Sequence, residues 1–418
     1  MTGGPGGHRG GAIHAIATGD TKGAELSWLA ERIRRTGHPV RTVDVGTQGP
    51  PAVPVDVPRE EVLAAVGDDP ARVAGLDRGA AVARMAEALA VFLAAEYRRG
   101  RVAGAIGLGG SGGTAIVAPA LRGLPLGVPK LIVTTMTGGP TGAYVDSSDL
   151  VLLPSVVDVA GLNAVSRLVL ANAAAAVVGM VAHGASTVPT GESRPAVAIS
   201  MFGVTTPLVT MVRGPLEAEG LDCLVFHATA IGGRALESLV AAGLVSGVLD
   251  LTTTEAADAV AGGIFPAGPD RFRTIARSGL PAVVSVGAMD MVNFGPPETV
   301  PERYRGRLLH AHNPQITLMR TSVEENVRCG RLLAERLAEA GGPLEILLPL
   351  RGVSALDREG QPFFDPDADA ALFAEIARLL PDTPTRAVRR IDAHVNDPAF
   401  AREVLAAFAR TRRQAGIP

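Results

Sequence analysis

The chain has 418 residues, of which 47% are hydrophobic, 19% charged and 4% aromatic, and its formal net charge is −3. This length exceeds what one ordinary hydrophobic core organises, so two domains are expected. The near-neutral charge excludes a basic field for nucleic acid, and the two cysteines, Cys223 and Cys329, exclude a disulfide framework or a Cys-rich zinc site.

Short apolar runs alternate with helical patterns through the first half of the chain. This alternation predicts βαβ units and a parallel sheet whose core is filled by small aliphatic side chains. A helix at residues 168–181 is shorter than the about 20 apolar residues that span a bilayer, so it is predicted to be a buried core helix and no membrane is expected as a partner. The predicted strands are residues 12–17, 40–45, 102–106, 130–134 and 150–153, and the predicted helices are 24–35, 80–97 and one that begins within 114–121.

The loop after the first predicted strand, residues 17–23, opens a helix and supplies four candidate cofactor-binding residues: Thr18, Gly19, Asp20 and Lys22. Lys22 can meet a phosphate, and Asp20 can hold Mg²⁺ through water or simply cap the helix. Asp44 ends the next strand, where an acid can accept hydrogen bonds from ribose hydroxyls or stand as a solvated strand end.

The strongest local signal is the glycine-rich segment 107–114, which follows a strand and opens a helix. Glycines let backbone amides approach an anion, and the helix start adds partial positive charge. No acid follows the next strand, which disfavours NAD, and the Walker pattern is absent, which excludes a P-loop ATPase. The candidate cofactor-binding residues here are Gly109, Gly110, Ser111, Gly112, Gly113 and Thr114.

A third loop follows the strand at 130–134 and is dense in threonine and glycine. It supplies Thr135, Thr137 and Gly138 as further candidate cofactor-binding residues. Because loops after successive parallel strands converge on one edge of the sheet, the three loops together predict a crevice for a polyphosphate.

Residues 185–195 are rich in Gly, Ser, Thr and Pro and poor in bulky apolar residues, which indicates a linker. We therefore expect a flexible lead-in at 1–10, an N-terminal nucleotide-binding domain at 11–184 and a C-terminal domain at 196–418. The alternation resumes in the second half, with strands at 196–201, 223–226, 245–251, 282–286, 315–319, 345–348 and 387–391 and helices at 207–219, 235–242, 254–260 and 323–340.

Polar residues recur at the predicted strand ends of the second half, where catalytic groups are commonly placed. Asp290 or His227 could act as a base, and Arg234 and Arg320 could grip an anion. His310 and His312 could form half of a metal site, but no clear third ligand accompanies them, and no metal ligand set is predicted. The candidate catalytic residues are Asp290, His227, Glu255, Arg234, His312 and Arg320.

The chain resembles, nearly from end to end, the conserved and largely uncharacterised family that includes the N-terminal ATP-binding domain of the tomato mosaic virus resistance protein. The resemblance implies two Rossmann-like subdomains, ATP binding and a homodimer, with the nucleotide against residues 18–22, 109–114 and 134–139. The matching segments are Thr18–Lys22, Gly109–Thr114, Ser155–Asn163, Met201–Pro207, Phe226–His227, Leu251–Glu255, Gly287–Gly295, His312–Gln315 and Arg320–Thr321.

Three functions are compatible with these features. The leading hypothesis is a cytoplasmic ATP-binding protein with a second small-anion site between its domains. The second is an enzyme, of the hydrolase or ligase/lyase type, that acts on a small carboxylate or phosphorylated metabolite with an Asp/His acid–base pair. The third is an interaction module whose conformation ATP controls. Each leaves open whether Mg²⁺ accompanies the nucleotide.

Overall fold

The computed structural model describes residues 10–139, 141–184 and 194–417. The chain divides into two compact units, Met1–Glu192 and Ser193–Pro418. Most of the expected lead-in (residues 1–9) and of the expected linker (residues 185–193) lies outside the described residues.

The described part of the N-terminal unit contains one five-stranded parallel sheet with the order β2-β1-β3-β4-β5. Its strands are β1 (Ala12–Ala17), β2 (Val40–Asp44), β3 (Val102–Gly109), β4 (Lys130–Thr134) and β5 (Val151–Pro154). The sheet confirms the predicted α/β class, and the continuous apolar runs of the strands are explained by burial of both sheet faces.

Helices cover both faces of this sheet. Alternate side chains of β1 point to opposite faces, so Ile13 and Ala15 join one buried cluster with α1 and α7, whereas Ile16 joins another with α4 and α5. The helices of this unit are α1 (Gly19–Arg34), α2 (Arg59–Ala64), α3 (Pro70–Ala74), α4 (Arg78–Arg98), α5 (Ser111–Arg122), α6 (Gly142–Val145) and α7 (Ala164–Gly184).

Helix α7 is longer and less buried than the sequence predicted. Residues 164–183 are long and apolar enough to cross a bilayer by length and composition, with a mean hydropathy of 1.8, and 28% of their most apolar window is buried. Leu170, Ala173 and Val177 pack against the sheet and α1. One face of α7 therefore belongs to the core of this unit, as predicted, but the rest of the helix is more exposed than the predicted buried core helix would be.

The C-terminal unit contains a six-stranded parallel sheet and a three-stranded antiparallel sheet among its described residues. The strands in chain order are β6 (Ala196–Met201), β7 (Asp222–His227), β8 (Gly247–Thr252), β9 (Ala282–Gly287), β10 (Met291–Phe294), β11 (Leu309–Asn313), β12 (Ile316–Arg320), β13 (Leu344–Pro349) and β14 (Arg386–Ile391). The parallel sheet has the order β14-β13-β9-β8-β6-β7, and β12 lies between β10 and β11 in the antiparallel sheet. Two mostly parallel sheets flanked by helices confirm the predicted pair of Rossmann-like domains.

Helix α12 (Val323–Leu337) begins at the predicted residue, and the structure of its first turn shows why. Ser322 is the N-cap: its hydroxyl accepts from the Glu325 amide at 3.2 Å, and the Glu325 carboxylate accepts from the Ser322 amide at 2.7 Å. This reciprocal pair is a capping box. The helices of the unit are α8 (Thr206–Ala218), α9 (Ile231–Ala241), α10 (Glu255–Ala261), α11 (Arg273–Arg277), α12 (Val323–Leu337), α13 (Pro366–Leu379) and α14 (Pro398–Gln414).

The strand order of each parallel sheet reverses direction between its first and third strands. In the N-terminal unit this point lies between β1 and β3, because β2 flanks β1 and β4 flanks β3. In the C-terminal unit it lies between β6 and β8. Loops leaving adjacent strands in opposite directions open a crevice at the carboxyl ends of the strands, where ligands of such folds bind.

Candidate functional site

A crevice of about 680 Å³ lies at the β1/β3 reversal point of the N-terminal unit. It is built by the loops after β1, β2 and β3, by the first residues of α4, and by the segment after β5. The lining residues are Thr18, Asp20, Thr21, Lys22, Thr47, Gln48, Ala74, Leu76, Arg78, Val82, Gly110, Ser111, Gly112, Gly113, Ile116 and Asp158. We call this cavity the first lobe.

The start of α5 presents unpaired backbone amides to the first lobe. Gly110 is the N-cap and has no side chain to cap the helix. The amides of Ser111, Gly112 and Gly113 have no acceptor among the described residues, and the first such bond is made by Thr114, whose amide donates to the Gly110 carbonyl oxygen at 2.9 Å. Unpaired amides at a helix start, together with the helix dipole, form an anion-binding site.

Glycine is needed at different positions of this segment for two different physical reasons. A Cβ on Gly107 would lie 2.5 Å from Val117 Cγ1, and one on Gly109 would lie 2.9 Å from Gly113 Cα, so these two glycines let β3 pack closely on α5. A Cβ on Gly112 would meet nothing closer than the Arg78 guanidinium at 4.0 Å. Gly112 therefore keeps the crevice open and is not required for packing.

The loop after β1 is held by Asp44. This carboxylate is fully buried, and its Oδ1 accepts from the amides of Gly19 and Gly46, each at 2.7 Å. Burial raises the pKa of Asp44, the two amides lower it, and the charge of Asp20 raises it further. Asp44 does not line the crevice, so the expected ribose contact is not supported: its side chain shapes the loops.

Asp20 does line the first lobe. Its Oδ2 accepts from the amides of Gln48 and Gly49 at 3.4 and 3.3 Å, which ties the β1 loop to the β2 loop. Its Oδ1 is buried and has no hydrogen-bond partner among the described residues. Buried polar atoms usually have partners, so this oxygen is a candidate acceptor for a ligand or for the water shell of a cation.

Two cations face the first lobe without a carboxylate partner. Neither Lys22 nor Arg78 forms an ion pair or side-chain hydrogen bond with any described residue, although both line the cavity. Lys22 interrupts the first turn of α1 with a non-helical backbone (φ −125°, ψ 20°). Sequence reasoning predicted Lys22 and missed Arg78, which precedes the glycine segment by about thirty residues; the only signal was its place after the N-cap Asp77 of a long helix.

Apolar side chains form one wall of the first lobe: Ala74, Leu76, Val82 and Ile116. They come from α3, α4 and α5 and the turn between α3 and α4. Leu76 is one of the exposed large hydrophobic residues of the chain, with 40% of its surface accessible. A cavity lined both by apolar side chains and by unpaired amides and cations suits a ligand with one flat apolar end and one anionic end.

A second cavity, of about 560 Å³, adjoins the first and shares Gly110, Ser111 and Asp158 with it. We call it the second lobe. Its other lining residues are Thr134, Thr135, Thr137, Pro154, Ser155, Val156 and Val157. Thr135 and Thr137, predicted as nucleotide-binding, thus lie in the second lobe, whereas Gly138 is exposed and lines neither.

The hydroxyl of Thr114 was expected to bind phosphate, and the structure contradicts this. Thr114 is fully buried, and its Oγ1 lies 2.8 Å from the Gly110 carbonyl oxygen and 2.6 Å from the Thr134 hydroxyl. The Met136 amide in turn donates to Thr134 Oγ1 at 3.0 Å. These hydroxyls therefore join α5 to β4 beneath the crevice and do not face it.

In the C-terminal unit, Asp290 and Arg320 come together in a buried cluster. Asp290 is fully buried, and its Oδ2 accepts from the Ser354 hydroxyl at 2.7 Å. Arg320 donates to Asp369 at 2.8 Å and lies 3.7 Å from Asp357. Burial, followed by the charge of Asp357, raises the pKa of Asp290 to about 7. Arg320 thus bonds Asp369, whereas Asp290 Oδ1 and Asp357 Oδ1 are buried oxygens without a hydrogen-bond partner among the described residues.

Glu255 belongs to a second buried network. Its Oε2 accepts from Arg271 Nε at 2.5 Å, and the same guanidinium donates to both oxygens of Asp250 at 2.6 and 2.9 Å. Glu255, Asp250 and Arg271 are all at most 2% exposed. The sequence predicted an accessible carboxylate at this strand end, but the Glu255 carboxylate is enclosed. The prediction that Glu255 is catalytic is therefore not supported.

The Gly-Gly-Arg segment after His227 was interpreted as an anion site, but its glycines serve packing. A Cβ on Gly232 would lie 1.8 Å from the His227 carbonyl oxygen, and one on Gly233 would lie 2.2 Å from Glu255 Oε1. Arg234 is half-buried in the first turn of α9 and His227 is exposed, with its ring 5.0 Å from that of Phe202.

The expected Asp/His acid–base pair is not assembled. His227 ends β7 and Asp290 follows β9, and β6 and β8 lie between these strands. At about 4.8 Å per strand, their ends are about 14 Å apart. His312 is exposed on β11, in the separate antiparallel sheet. No group of three or more His, Cys, Asp or Glu side chains suited to a metal ion occurs among the described residues.

The family models and the relatives found by comparison with known proteins indicate the same protein family. The model of the uncharacterised protein family (UPF0261) N-terminal domain matches residues 11–186, and the model of its C-terminal domain matches residues 194–412. A UPF0261 protein from Rhizobium meliloti (RA0729) is 52% identical over 95% of this chain and 98% of its own length. A UPF0261 protein from Clostridium tetani is 40% identical over 93% of this chain and 96% of its own length. The ToMV resistance protein Tm-1(GCR237) of Solanum lycopersicum is 42% identical over 95% of this chain but only 55% of its own length.

Proposed function

We propose that this chain, which belongs to the uncharacterised protein family UPF0261, binds ATP in the first lobe of its N-terminal crevice. The observation that carries the proposal is the meeting of unpaired α5 amides at Ser111–Gly113 with the unpartnered cations Lys22 and Arg78 in one cavity. Amides and cations together are how proteins hold phosphate groups.

The remaining walls of the first lobe support a nucleotide over a simple phosphate. The apolar side chains of Leu76, Val82 and Ile116 offer a surface on which a base could lie. Its volume of about 680 Å³ is within the range of cavities that hold small organic ligands. The choice of adenine rests on the family resemblance and is tested separately below.

Asp20 and Asp158 would hold a Mg²⁺ ion that accompanies the phosphates. Both carboxylates line the first lobe, and Asp20 Oδ1 is a buried oxygen without a partner among the described residues. Mg²⁺ in proteins commonly keeps several waters and is bound by one or two carboxylates plus phosphate oxygens. Two carboxylates in a cavity with three unpaired amides and two cations fit that arrangement and do not form an all-protein cage.

Calorimetry on the full chain with AMP-PNP, a non-hydrolysable ATP analogue, tests the proposal. We expect binding that strengthens with Mg²⁺. The variants Lys22→Met and Arg78→Met should each weaken binding about tenfold or more, since a hydrogen bond to a charged group contributes about 1.5–3 kcal/mol. Arg98→Met is the matched control, because Arg98 lies in the last turn of the same helix α4 as Arg78, at its opposite end, and should leave binding unchanged.

Absence of heat with AMP-PNP at any Mg²⁺ concentration would refute nucleotide binding. Equal affinity for GTP and ATP analogues would keep a polyphosphate site but remove the preference for adenine. The homodimer and the cytoplasmic location remain predictions from the sequence and the family resemblance, and so does an anion site between the domains. Light scattering of the purified chain with and without AMP-PNP tests the first of these.

A further inference from the structure

The second lobe has a different chemical character from the first. Its free side-chain hydroxyls come from Thr135, Thr137 and Ser155, since that of Thr134 bonds Thr114 and Met136, and its one charged lining residue among the described residues is Asp158. No Lys, Arg or His of the described part of the chain lines it, whereas the first lobe has both Lys22 and Arg78. A ligand that carried a second phosphate or a carboxylate would find no Lys, Arg or His side chain to pair with among the described residues of the second lobe.

Ser155 gives the strongest sign that the second lobe holds a ligand. It is only 5% exposed, yet its hydroxyl makes no hydrogen bond with any described residue. Its backbone is fully engaged: the amide donates to the Thr134 carbonyl oxygen at 3.0 Å, and its own carbonyl accepts from the Val157 amide at 2.7 Å. The Ser155 hydroxyl oxygen is not itself a buried atom: it keeps access to the cavity that Ser155 lines and can bond a molecule that enters it.

The neighbouring threonines show that the unpartnered state of these hydroxyls is selective. Thr114 and Thr134, beneath the crevice, bond each other at 2.6 Å. Thr135 and Thr137, which line the second lobe, have no side-chain hydrogen bond with any described residue. Thr134 also lines the second lobe but uses its hydroxyl in bonds with Thr114 and Met136, whereas Thr135 is exposed and Thr137 half-buried, so their hydroxyls are free to bond a ligand.

The rim of the second lobe is also held in a costly backbone conformation. Val156 has φ +66°, is 77% exposed, and lies between Ser155 and Val157, whose backbone groups bond each other around it. A β-branched residue in this region is an outlier, and such strain collects at ligand sites. The conformation turns the Ser155–Asp158 segment over the start of α5, where the two lobes meet.

We propose that the second lobe binds a small, uncharged molecule that carries several hydroxyl groups, next to the phosphate end of the nucleotide. Thr135, Thr137 and Ser155 would exchange hydrogen bonds with its hydroxyls. The shared residues Gly110, Ser111 and Asp158 place it against the bound phosphates. The proposal rests on the proposed nucleotide binding and deepens it, because the crevice then holds two ligands. Thr135 and Thr137, predicted to bind the nucleotide, would bind the second ligand instead.

The test is a binding screen on the full chain saturated with AMP-PNP and Mg²⁺. The neutral probes are glycerol, D-ribose, D-glucose and myo-inositol, and the charged probes are D-glycerate and D-ribose 5-phosphate. Binding of each probe is measured by saturation-transfer NMR and calorimetry. We expect at least one neutral probe to bind, and each charged probe to bind more weakly than its neutral counterpart. Ser155→Ala and Thr137→Val should each weaken that probe about three- to tenfold, as loss of one neutral hydrogen bond implies.

The two proposals fail in different ways. If AMP-PNP does not bind, the nucleotide assignment fails, and the same probes on the ligand-free chain still test the second lobe. If AMP-PNP binds but no neutral probe does, or if charged probes bind better, the second-lobe proposal is overturned. A loss of AMP-PNP affinity in Ser155→Ala, with none in the control Ser27→Ala on the exposed side of α1, would assign the second lobe to the nucleotide itself.

Discussion

In the N-terminal unit, polar groups that follow the strands face an open crevice, whereas in the C-terminal unit three of the six residues predicted to be catalytic, Asp290, Glu255 and Arg320, are buried among other side chains. Ser155 and Lys22 have no side-chain partner among the described residues, although each lines a cavity. Asp290 and Glu255 are fully buried and bonded to Ser354 and Arg271. Both sheets begin with the same strand order, so topology does not explain the difference.

The difference lies in what the polar groups do for one another. A buried charge must be paired or neutralised, and the Arg271 guanidinium, which bonds Asp250 and Glu255, is a partner that a ligand would have to displace. Amides and hydroxyls that lack partners keep their bonding capacity for whatever enters. A polar residue at a strand end is therefore evidence for a site only when its partners are known.

The largest expected effect would confirm that the C-terminal groups are structural. Arg271→Met should lower the free energy of unfolding by about 3–5 kcal/mol, because it leaves the buried carboxylates of Asp250 and Glu255 without their cation. Urea unfolding followed by circular dichroism measures this. Arg351→Met, which breaks an exposed pair with Asp392, should give no measurable change. If both variants unfold at the same urea concentration, the contrast between the units loses its energetic basis.

The two units should also respond to pH in opposite directions. Burial lowers the pKa of His14 in β1 to about 4 from 6.5, so below about pH 6.5 the unfolded chain binds a proton that the folded chain refuses. The N-terminal unit should therefore lose about 3 kcal/mol as the pH falls from 6.5 to 4. Burial raises the pKa of Glu237 to about 8, so the folded C-terminal unit holds a proton that the unfolded chain releases above about pH 4.5. That unit should lose stability as the pH rises toward 8.

The single tryptophan allows the two responses to be separated. Trp28 lies in α1, so its fluorescence reports the N-terminal unit, while circular dichroism reports both units. His14→Gln, which does not titrate, should reduce the acid-side loss seen by Trp28. Glu237→Gln should reduce the alkaline loss seen by circular dichroism alone, to which the buried Asp258 and Asp290, each with a pKa raised to about 7, also contribute. Parallel pH profiles from the two probes would show that the units do not differ in this way.

Two glycines of the same segment sharpen the comparison between packing and binding. Gly107→Ala should cost about 1–3 kcal/mol of stability, since its Cβ would press on Val117 at 2.5 Å. Gly112→Ala has room for its Cβ and should unfold like the wild type while it weakens AMP-PNP binding. Melting temperature and calorimetry on both variants measure the pair. An unstable Gly112→Ala with normal affinity would reverse the assignment of the two glycines.

The smallest effect concerns the strained rim of the second lobe. Val156→Asn should raise the free energy of unfolding by about 1 kcal/mol, because Asn tolerates a positive φ far better than a β-branched residue. Urea unfolding followed by Trp28 fluorescence detects it. Val157→Asn, one residue on, is the control and should not stabilise the chain. A destabilised Val156→Asn would mean that the backbone carries no stored strain there.

Most of the fold was predictable because it depends on local pattern. Strands β1, β4 and β6 have the predicted limits, since each is a continuous apolar run bounded by turn residues. The antiparallel sheet was missed in part: β10 has only four residues and β11 is largely exposed, so neither shows a clear period. The strand expected at 315–319 exists as β12 but pairs with these two strands.

The site was predictable only where one segment supplies it. The α5 amides were found because glycines, helix start and strand end are contiguous in Gly109–Gly113. Arg78, Ser155 and Asp158 were missed because they reach the crevice through folding, from segments far along the chain. Thr114 was wrongly predicted to line the crevice because, like Ser111, it is a hydroxyl residue next to glycines at the start of α5. Only the structure shows that Thr114 is buried.

By itself, the sequence determined the class of fold, most strands of both parallel sheets and the glycine-rich start of α5, because apolar periodicity and glycine act through the local backbone. Only the tertiary structure decided which polar side chains near strand ends remain accessible to a ligand, such as Lys22, and which are buried against other side chains, such as Glu255. The physical reason is that a polar group's chemistry depends on its partners and its burial, and both are fixed by residues distant in the chain.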